Sequence, residues 1–149
     1  MIEQTLVLLK PDAIERYLVG TLLQRFERKG FQIAAMKLMK VTPDMAKLHY
    51  FEHRERPFFK DLIEYITRAP VLALILRGEG VIGMIRALNG ATNPANAVPG
   101  SIRGDFAIST RFNLVHASDS SESSAREIQI FFTENEIFNN PLMLTSIIA

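Results

Sequence analysis

The spacing of apolar residues changes period several times along the chain, and each change predicts an element. Thr5 to Leu9 is a short apolar run stopped by Lys10-Pro11-Asp12, the pattern of a buried strand entering a turn. Val19, Leu22, Leu23 and Phe26 recur at helical spacing, with Arg25, Arg28 and Lys29 near the end and Gly30 as the stop. Phe31 to Val41 alternates loosely and predicts a strand. Thr42-Pro43 then sets a capping hydroxyl before a proline at the first helical position, opening a polar helix to about Phe51. Phe59, Leu62, Ile63 and Ile66 mark an amphipathic helix ended by Ala69-Pro70. Val71 to Arg77 is the clearest strand, and Val81, Ile85 and Leu88 form a short helix closed by Asn89-Gly90.

Gly90 to Asp105 has no period of either kind. It holds three Gly, two Pro and two Asn in 16 residues, and irregular stretches of that length in a small domain are usually functional. A short apolar run, Asn113-Leu114-Val115-His116, follows it. Asp119 with Glu122 predicts a capping box, opening a last helix whose Ala125, Ile128 and Phe132 face inward. Strands alternating with helices, without repeats or linkers, predict one domain with helices packed on a sheet.

Composition narrows the class. At 149 residues the chain is long enough to bury roughly 70% of its unfolded surface around one core. Seventeen basic against sixteen acidic residues give a net charge of +1, which argues against a bulk nucleic-acid binder. The absence of Cys excludes disulfides, thiolate catalysis and Cys-based zinc sites. The longest apolar runs have about six residues against the ~20 a membrane span needs, and Met1 to Gln4 carries no signal-peptide pattern. A cytoplasmic location is the expectation.

Three constellations carry candidate chemistry. Gly78-Glu79-Gly80-Val81-Ile82-Gly83 matches a dinucleotide fingerprint, with Asp105 about 20 residues on, at the spacing of a ribose-binding acid. Its helix is too short and no second strand follows, so turn glycines are the better reading. His49 and His53 stand four apart on a helix, as metal ligands do, but among Glu52, Arg54, Glu55 and Arg56 a solvated surface face is favoured. His116 sits where a strand hands over to a helix, a place where α/β proteins hold ligands. By position alone a structural histidine remains the favoured reading. Arg86, Arg103 and Arg111 against the single acid Asp105 make Val81 to Ser118 locally basic, either as a phosphate grip or as scattered surface charge.

Asn113-Leu114-Val115-His116-Ala117-Ser118-Asp119-Ser120 resembles the active-site signature of nucleoside diphosphate kinases. Lys10-Pro11-Asp12, Arg56-Pro57-Phe58-Phe59, Gly90-Ala91-Thr92-Asn93-Pro94 and Pro99 to Phe106 match further blocks in the right order, so the resemblance runs from Thr5 to about Phe138. It implies an α+β, ferredoxin-like αβ sandwich with a four-stranded antiparallel sheet, as a domain over residues 1–138. The implied activity is ping-pong transfer of a γ-phosphoryl group from a nucleoside triphosphate to a diphosphate. His116 would be the nucleophile, oriented by Glu127 and Ser118. Arg86, Thr92 and Arg103 would bind phosphates, with Tyr50 close to the transferred group. Lys10 and Asn113 would hold the sugar hydroxyls, Lys10 also reaching phosphate. Phe58 would stack on the base beside Leu62, which would discriminate poorly among bases.

The resemblance also implies Mg²⁺ carried by the nucleotide, with ATP, GTP and ADP among the substrates. It implies a homo-oligomer, a hexamer favoured over a tetramer, with no membrane and no obligate nucleic-acid partner. Two features depart from the pattern. Tyr17 replaces a small residue, which puts only local packing in doubt. A tail over 139–149, apolar at six of its last eight residues, is expected to pack on a neighbouring subunit. A dinucleotide-dependent oxidoreductase and a non-catalytic relative that kept the fold remain the rival readings.

Overall fold

The computed structural model describes residues 1–141, so residues 142–149, with most of the apolar tail, lie outside the described part. The strands are β1 (Ile2–Leu9), β2 (Gln32–Met39), β3 (Val71–Glu79) and β4 (Val115–Ala117). Between β1 and β2 lie α1 (Pro11–Glu15) and α2 (Val19–Lys29). Helices α3 (Pro43–His49) and α4 (Phe59–Thr67) precede β3; α5 (Val81–Asn89) and α6 (Ile102–Phe106) follow it, and α7 (Ser121–Phe131) follows β4. All pairings are antiparallel, in the order β2-β3-β1-β4. This is the ferredoxin-like α+β sheet that the resemblance implies.

Both faces of the sheet are covered, which explains why β1 and β3 read as continuous apolar runs rather than as alternating ones. Val7 and Leu9 share one face with Leu72, Leu74 and Leu76, under Leu22 and Phe26 of α2, Ile85 of α5 and Ile102 of α6. Leu6 and Leu8 share the other with Ala73 and Ile75, under Ala46 of α3, Ile66 of α4 and Phe131 of α7. Each fully buried large aliphatic side chain here contributes about 1.5–3 kcal/mol. Burial on both sides leaves the central strand β1 no freedom to slip, because a one-residue shift would exchange its two faces. Its rigid C-terminal end carries Lys10, and β4 pairs with it so that Leu8 faces His116.

Several local expectations need correction. Lys10-Pro11-Asp12 does not merely turn: Pro11 starts α1, where its missing N–H is no loss. The irregular stretch after Gly90 contains α6, capped by Ser101, whose hydroxyl accepts from the Gly104 amide at 3.0 Å. Gly90 is needed there: its φ is +85°, and a Cβ would lie 2.4 Å from the Ser101 hydroxyl. The last helix is capped by Ser120, not Asp119, since the Ser120 hydroxyl accepts from the Ser123 amide at 3.1 Å. Its buried face is Ser124, Glu127 and Phe131; Ile128 and Phe132 pack inward as expected, while Ala125 points outward. That inward face is partly polar because the Ser124 hydroxyl donates to Gln4 O at 2.6 Å and Glu127 serves the site described next. Tyr17 sits with φ +58° between α1 and α2, its ring exposed, so it strains no packing.

Candidate active site

A cavity of about 640 Å³ opens where the C-terminal end of β1, the strand β4 and helices α3, α4 and α5 converge. Ten of the residues singled out from sequence line it: Lys10, Tyr50, Phe58, Leu62, Arg86, Thr92, Arg103, Asn113, His116 and Glu127. Ser118, the eleventh, lies fully buried behind the wall. Its hydroxyl accepts from the Leu6 amide at 3.3 Å and reaches Glu127 Oε1 at 3.4 Å.

His116 is presented from β4 on an unusual backbone. Leu114, two residues earlier, has φ +74°, a left-handed conformation that costs a non-glycine residue about 1–2 kcal/mol. Both of its peptide groups are pinned. The Leu114 amide donates to Asp12 Oδ2 at 3.1 Å, and its carbonyl accepts from the Lys10 amide at 2.8 Å. Asp12 is itself buried and takes a short hydrogen bond from the Tyr65 hydroxyl, and burial pushes its carboxyl pKa up. Nε2 of His116 pairs with Glu127 Oε1, leaving Nδ1 as the ring nitrogen free for chemistry.

The electrostatics at His116 are one-sided. Burial, then the charges of Lys10, Arg103 and Arg86, lower its pKa to about 3, so the imidazole is neutral near pH 7. Lys10 is lowered to about 8 by burial and by Arg103, while its Nζ donates to Asn113 Oδ1 at 2.7 Å. Asn113 Nδ2 donates to Thr92 O at 3.0 Å, tying the irregular loop to the cavity floor. Arg103, only 8% exposed, donates from Nε to Asn113 O at 3.3 Å. Its terminal nitrogens donate to Gly90 O at 2.8 Å and to Val115 O at 2.6 Å. Burial and Arg86 together lower it to about 10. Arg86 donates to Ala117 O at 3.3 Å. Phe58, at the start of α4, leaves its ring half exposed at the mouth with Leu62 one turn further on.

The surface reading of His49 is wrong. Its side chain is buried on the inner face of α3, edge-on to His116 with ring centroids 4.5 Å apart, and its Nδ1 lies 3.8 Å from Glu127 Oε1. Ala46, His49 and Tyr50 at i, i+3 and i+4 are the signal that could have placed it on the inner face; the charges after Tyr50 hid it. His53 does lie on the exposed side. Burial holds the His49 pKa well below its ordinary value, with His116 adding to the effect. Tyr50, also buried, has its hydroxyl pKa raised by burial and by Glu127.

The glycine fingerprint is a turn: Gly80, with φ +64°, caps α5. Asp105 is not in the cavity wall. It binds Arg25 at 2.7 Å and accepts from the Gly100 amide, so the ribose-acid reading falls.

A neutral histidine with one nitrogen held by a carboxylate, and the other free in a cationic cavity, is arranged for nucleophilic attack on an anion. Comparison with known proteins agrees. The sequence model "Nucleoside diphosphate kinase" matches residues 3–137. The chain belongs to the nucleoside diphosphate kinase family. It is 56% identical over 137 residues to the nucleoside diphosphate kinase of Methanobrevibacter smithii, an alignment covering 92% of this chain and 91% of that protein. It is 52% identical to that of Archaeoglobus fulgidus, over 92% of this chain and 91% of the relative. The nucleoside diphosphate kinase structure of Aquifex aeolicus superposes with a TM-score of 0.89 at 43% identity, covering 92% of this chain and 99% of that one. The structure of a halophilic nucleoside diphosphate kinase from Halobacterium salinarum in complex with CDP superposes with a TM-score of 0.96 at 35% identity, covering 100% and 99%. This nucleoside diphosphate kinase is therefore a nucleotide-binding phosphotransferase, moving a phosphoryl group from a nucleoside triphosphate to a diphosphate.

Proposed function

We propose that the transfer runs by a ping-pong route through a phosphohistidine on Nδ1 of His116. The lone pair of Nδ1 attacks the γ-phosphorus, the bond to the β,γ-bridging oxygen breaks, and the nucleoside diphosphate leaves with that electron pair. A second diphosphate then attacks the phosphohistidine through a terminal oxygen and restores the neutral imidazole. The observation that carries this reading is the division of labour on one ring: Nε2 held by Glu127, Nδ1 free beneath Lys10, Arg86 and Arg103.

Phosphoryl transfer depends mainly on positioning and on neutralising spread-out charge, which is what a pinned imidazole among cations supplies. In this reading Arg86, Arg103 and Thr92 hold phosphate, and Tyr50 sits near the transferred group. Lys10 and Asn113, already hydrogen-bonded to each other, hold sugar hydroxyls, Lys10 also touching phosphate. Ser118 keeps Glu127 in line. Phe58 and Leu62 offer the base a flat apolar seat without a donor pattern, which favours broad use of ATP, GTP and other nucleotides.

Mg²⁺ fits as part of the substrate. Among the described residues the one group of three or more His, Asp and Glu ligands is His49, His116 and Glu127, a nitrogen-rich set unsuited to so hard a cation. Bound to the phosphates, it offsets their charge. A homo-oligomer, hexamer before tetramer, is part of the proposal. It is supported by the unpaired edge of β2, where Met36 and Leu38 are exposed. A cytoplasmic location also belongs to it and is tested by fractionation; no described helix is long and apolar enough to cross a membrane.

The test is incubation with γ-labelled ATP. It should give an acid-labile, base-stable label that is absent in His116→Ala, and steady-state kinetics should give parallel lines. A label that survives in His116→Ala would refute the assignment.

A further inference from the structure

His49 is a buried, titratable side chain of the site that the transfer mechanism does not use. Both of its ring nitrogens are buried without a hydrogen-bond partner. Buried imidazoles are ordinarily held by a carboxylate or a carbonyl, because an unpaired donor or acceptor away from water is costly. Glu127 Oε1 lies 3.8 Å from Nδ1, beyond hydrogen-bond reach. One donor atom each from His49, His116 and Glu127 lie within 4.8 Å of one another. Two imidazoles and one carboxylate are a recognised zinc ligand set, and all three residues line the cavity.

The geometry points to a regulatory site for Zn²⁺ made by His49, His116 and Glu127, in which the ion silences the enzyme by binding the nucleophile's back nitrogen. Ligands ~2.0–2.2 Å from a tetrahedral ion stand about 3.3 Å apart, so the 3.8 Å separation of His49 Nδ1 and Glu127 Oε1 closes by a small side-chain shift. The His116–Glu127 hydrogen bond opens to admit the ion, and water from the cavity supplies the fourth ligand. His116 is partly exposed to that cavity, which gives the ion a way in.

The choice of ion follows from the surroundings. Lys10, Arg86 and Arg103 oppose any dication bound by charge alone, which removes Mg²⁺ and Ca²⁺. An ion that bonds well to imidazole nitrogen overcomes that repulsion. The chemical consequence concerns one proton. In the working tautomer Nε2 carries the hydrogen and Nδ1 the lone pair. Zn²⁺ takes the Nε2 lone pair, the proton moves to Nδ1, and the pair that would attack phosphorus is gone. No other group need gain or lose a proton.

The inhibitory half of this proposal rests on the reading of Nδ1 as the nucleophile, whereas the site itself does not, and the experiment separates them. The untagged full chain, stripped by a chelator, is dialysed to equilibrium against buffered Zn²⁺ without nucleotide, with Co²⁺ as a visible probe of coordination. The expected result is one ion per chain, tetrahedral Co²⁺ bands and no competition from excess Mg²⁺. His49→Gln and Glu127→Gln should each weaken binding by at least about tenfold, since even outer-shell partners cost that much. Two variants at separate positions, checked for folding by circular dichroism, guard against a single misfolded one.

Labelling from ATP is then run with and without Zn²⁺, each enzyme compared with itself. Loss of label in the parent but not in His49→Gln supports the block, because an effect through zinc-bound nucleotide would strike both. No stoichiometric ion in the parent, or equal binding in both variants, overturns the site. Stoichiometric binding that leaves phosphohistidine formation unchanged overturns the inhibition. Failure to label without any zinc would instead refute the nucleophile assignment, with the dialysis result unaffected.

Discussion

Arg103 has a structural part beside its proposed contact with phosphate, and replacing it gives the sharpest test of how the site is held. Its guanidinium donates to three backbone carbonyls, those of Gly90, Asn113 and Val115, and so fastens the end of α5 and the irregular loop to the strand that carries His116. Hydrogen bonds from a charged donor are worth about 1.5–3 kcal/mol each, so three give a gross sum above 4 kcal/mol. Burial and repulsion by Arg86 work against it, as the lowered pKa of about 10 records. A net loss of about 3 kcal/mol in Arg103→Ala is expected. For a chain of this size each kcal/mol moves Tm by about 2–4 °C, which puts the drop near 6–12 °C.

Arg103→Lys keeps the charge but not the three-way fork, so it should recover only a minor part of the loss. Calorimetry at one fixed protein concentration, without nucleotide, measures the effect. Single-turnover labelling from ATP measures the companion loss of activity, which should exceed that of Lys10→Met by roughly 1–3 kcal/mol. A normal Tm in Arg103→Ala, with activity lost, would show that Arg103 acts on phosphate alone and that the latch is wrong.

Other consequences follow from the same contacts. The Lys10 ammonium has a pKa of about 8 in the free enzyme against 10.5 in the unfolded chain, so the unfolded chain binds more protons between those values and stability should rise with pH across that window. Phosphate beside Lys10 restores its proton, so nucleotide binding near pH 8–9 should take one up, seen as buffer-dependent heats in titration calorimetry; equal heats in all buffers would refute it. At Leu114 the left-handed backbone should make Leu114→Gly more stable than Leu114→Ala by about 1 kcal/mol in denaturant melts, the reverse of the usual order. His116, lowered to about 3, should show no imidazole titration by NMR between pH 8 and 5, and a midpoint near 6.5 would contradict the burial argument. Because the unfolded chain protonates this ring below 6.5, stability should fall with pH from there towards 3.

The elements legible in the sequence were those whose signal is local. Leu22 and Phe26 of α2 fall on the helical period and Gly30 closes it; Val71 to Leu76 is apolar because both its faces are covered. Thr42 caps α3 as its position before Pro43 requires, accepting from the Met45 amide at 3.2 Å. Ten of the eleven assigned side chains share one cavity, although they come from segments a hundred residues apart, because the signature blocks carry information that no period does. What stayed hidden depends on distant partners. Asp12 shows its purpose only when the Leu114 amide, 102 positions away, is found on its carboxylate. Leucine gives no sign of a positive φ, and His49 takes its meaning from α7, not from the charged residues that follow it.

The lowered pKa values of Lys10, Arg103 and His116 share their causes: burial first in each, then repulsion among neighbouring cations. Lys10, Arg86 and Arg103 converge on a cavity whose buried lining carboxylate, Glu127, is engaged by His116 on its far nitrogen. Without ligand, burial and then the converging charges suppress any proton on His116, and that suppression keeps Nδ1 basic in the Lewis sense at neutral pH. In the proposed mechanism phosphate eases the repulsion and meets the lone pair in the same place, so the substrate's own charge releases the stress that keeps the nucleophile ready. A neutral analogue filling the same volume would gain the stacking on Phe58 but none of this release. Nucleotide affinity should therefore depend on phosphate charge far more than on the base.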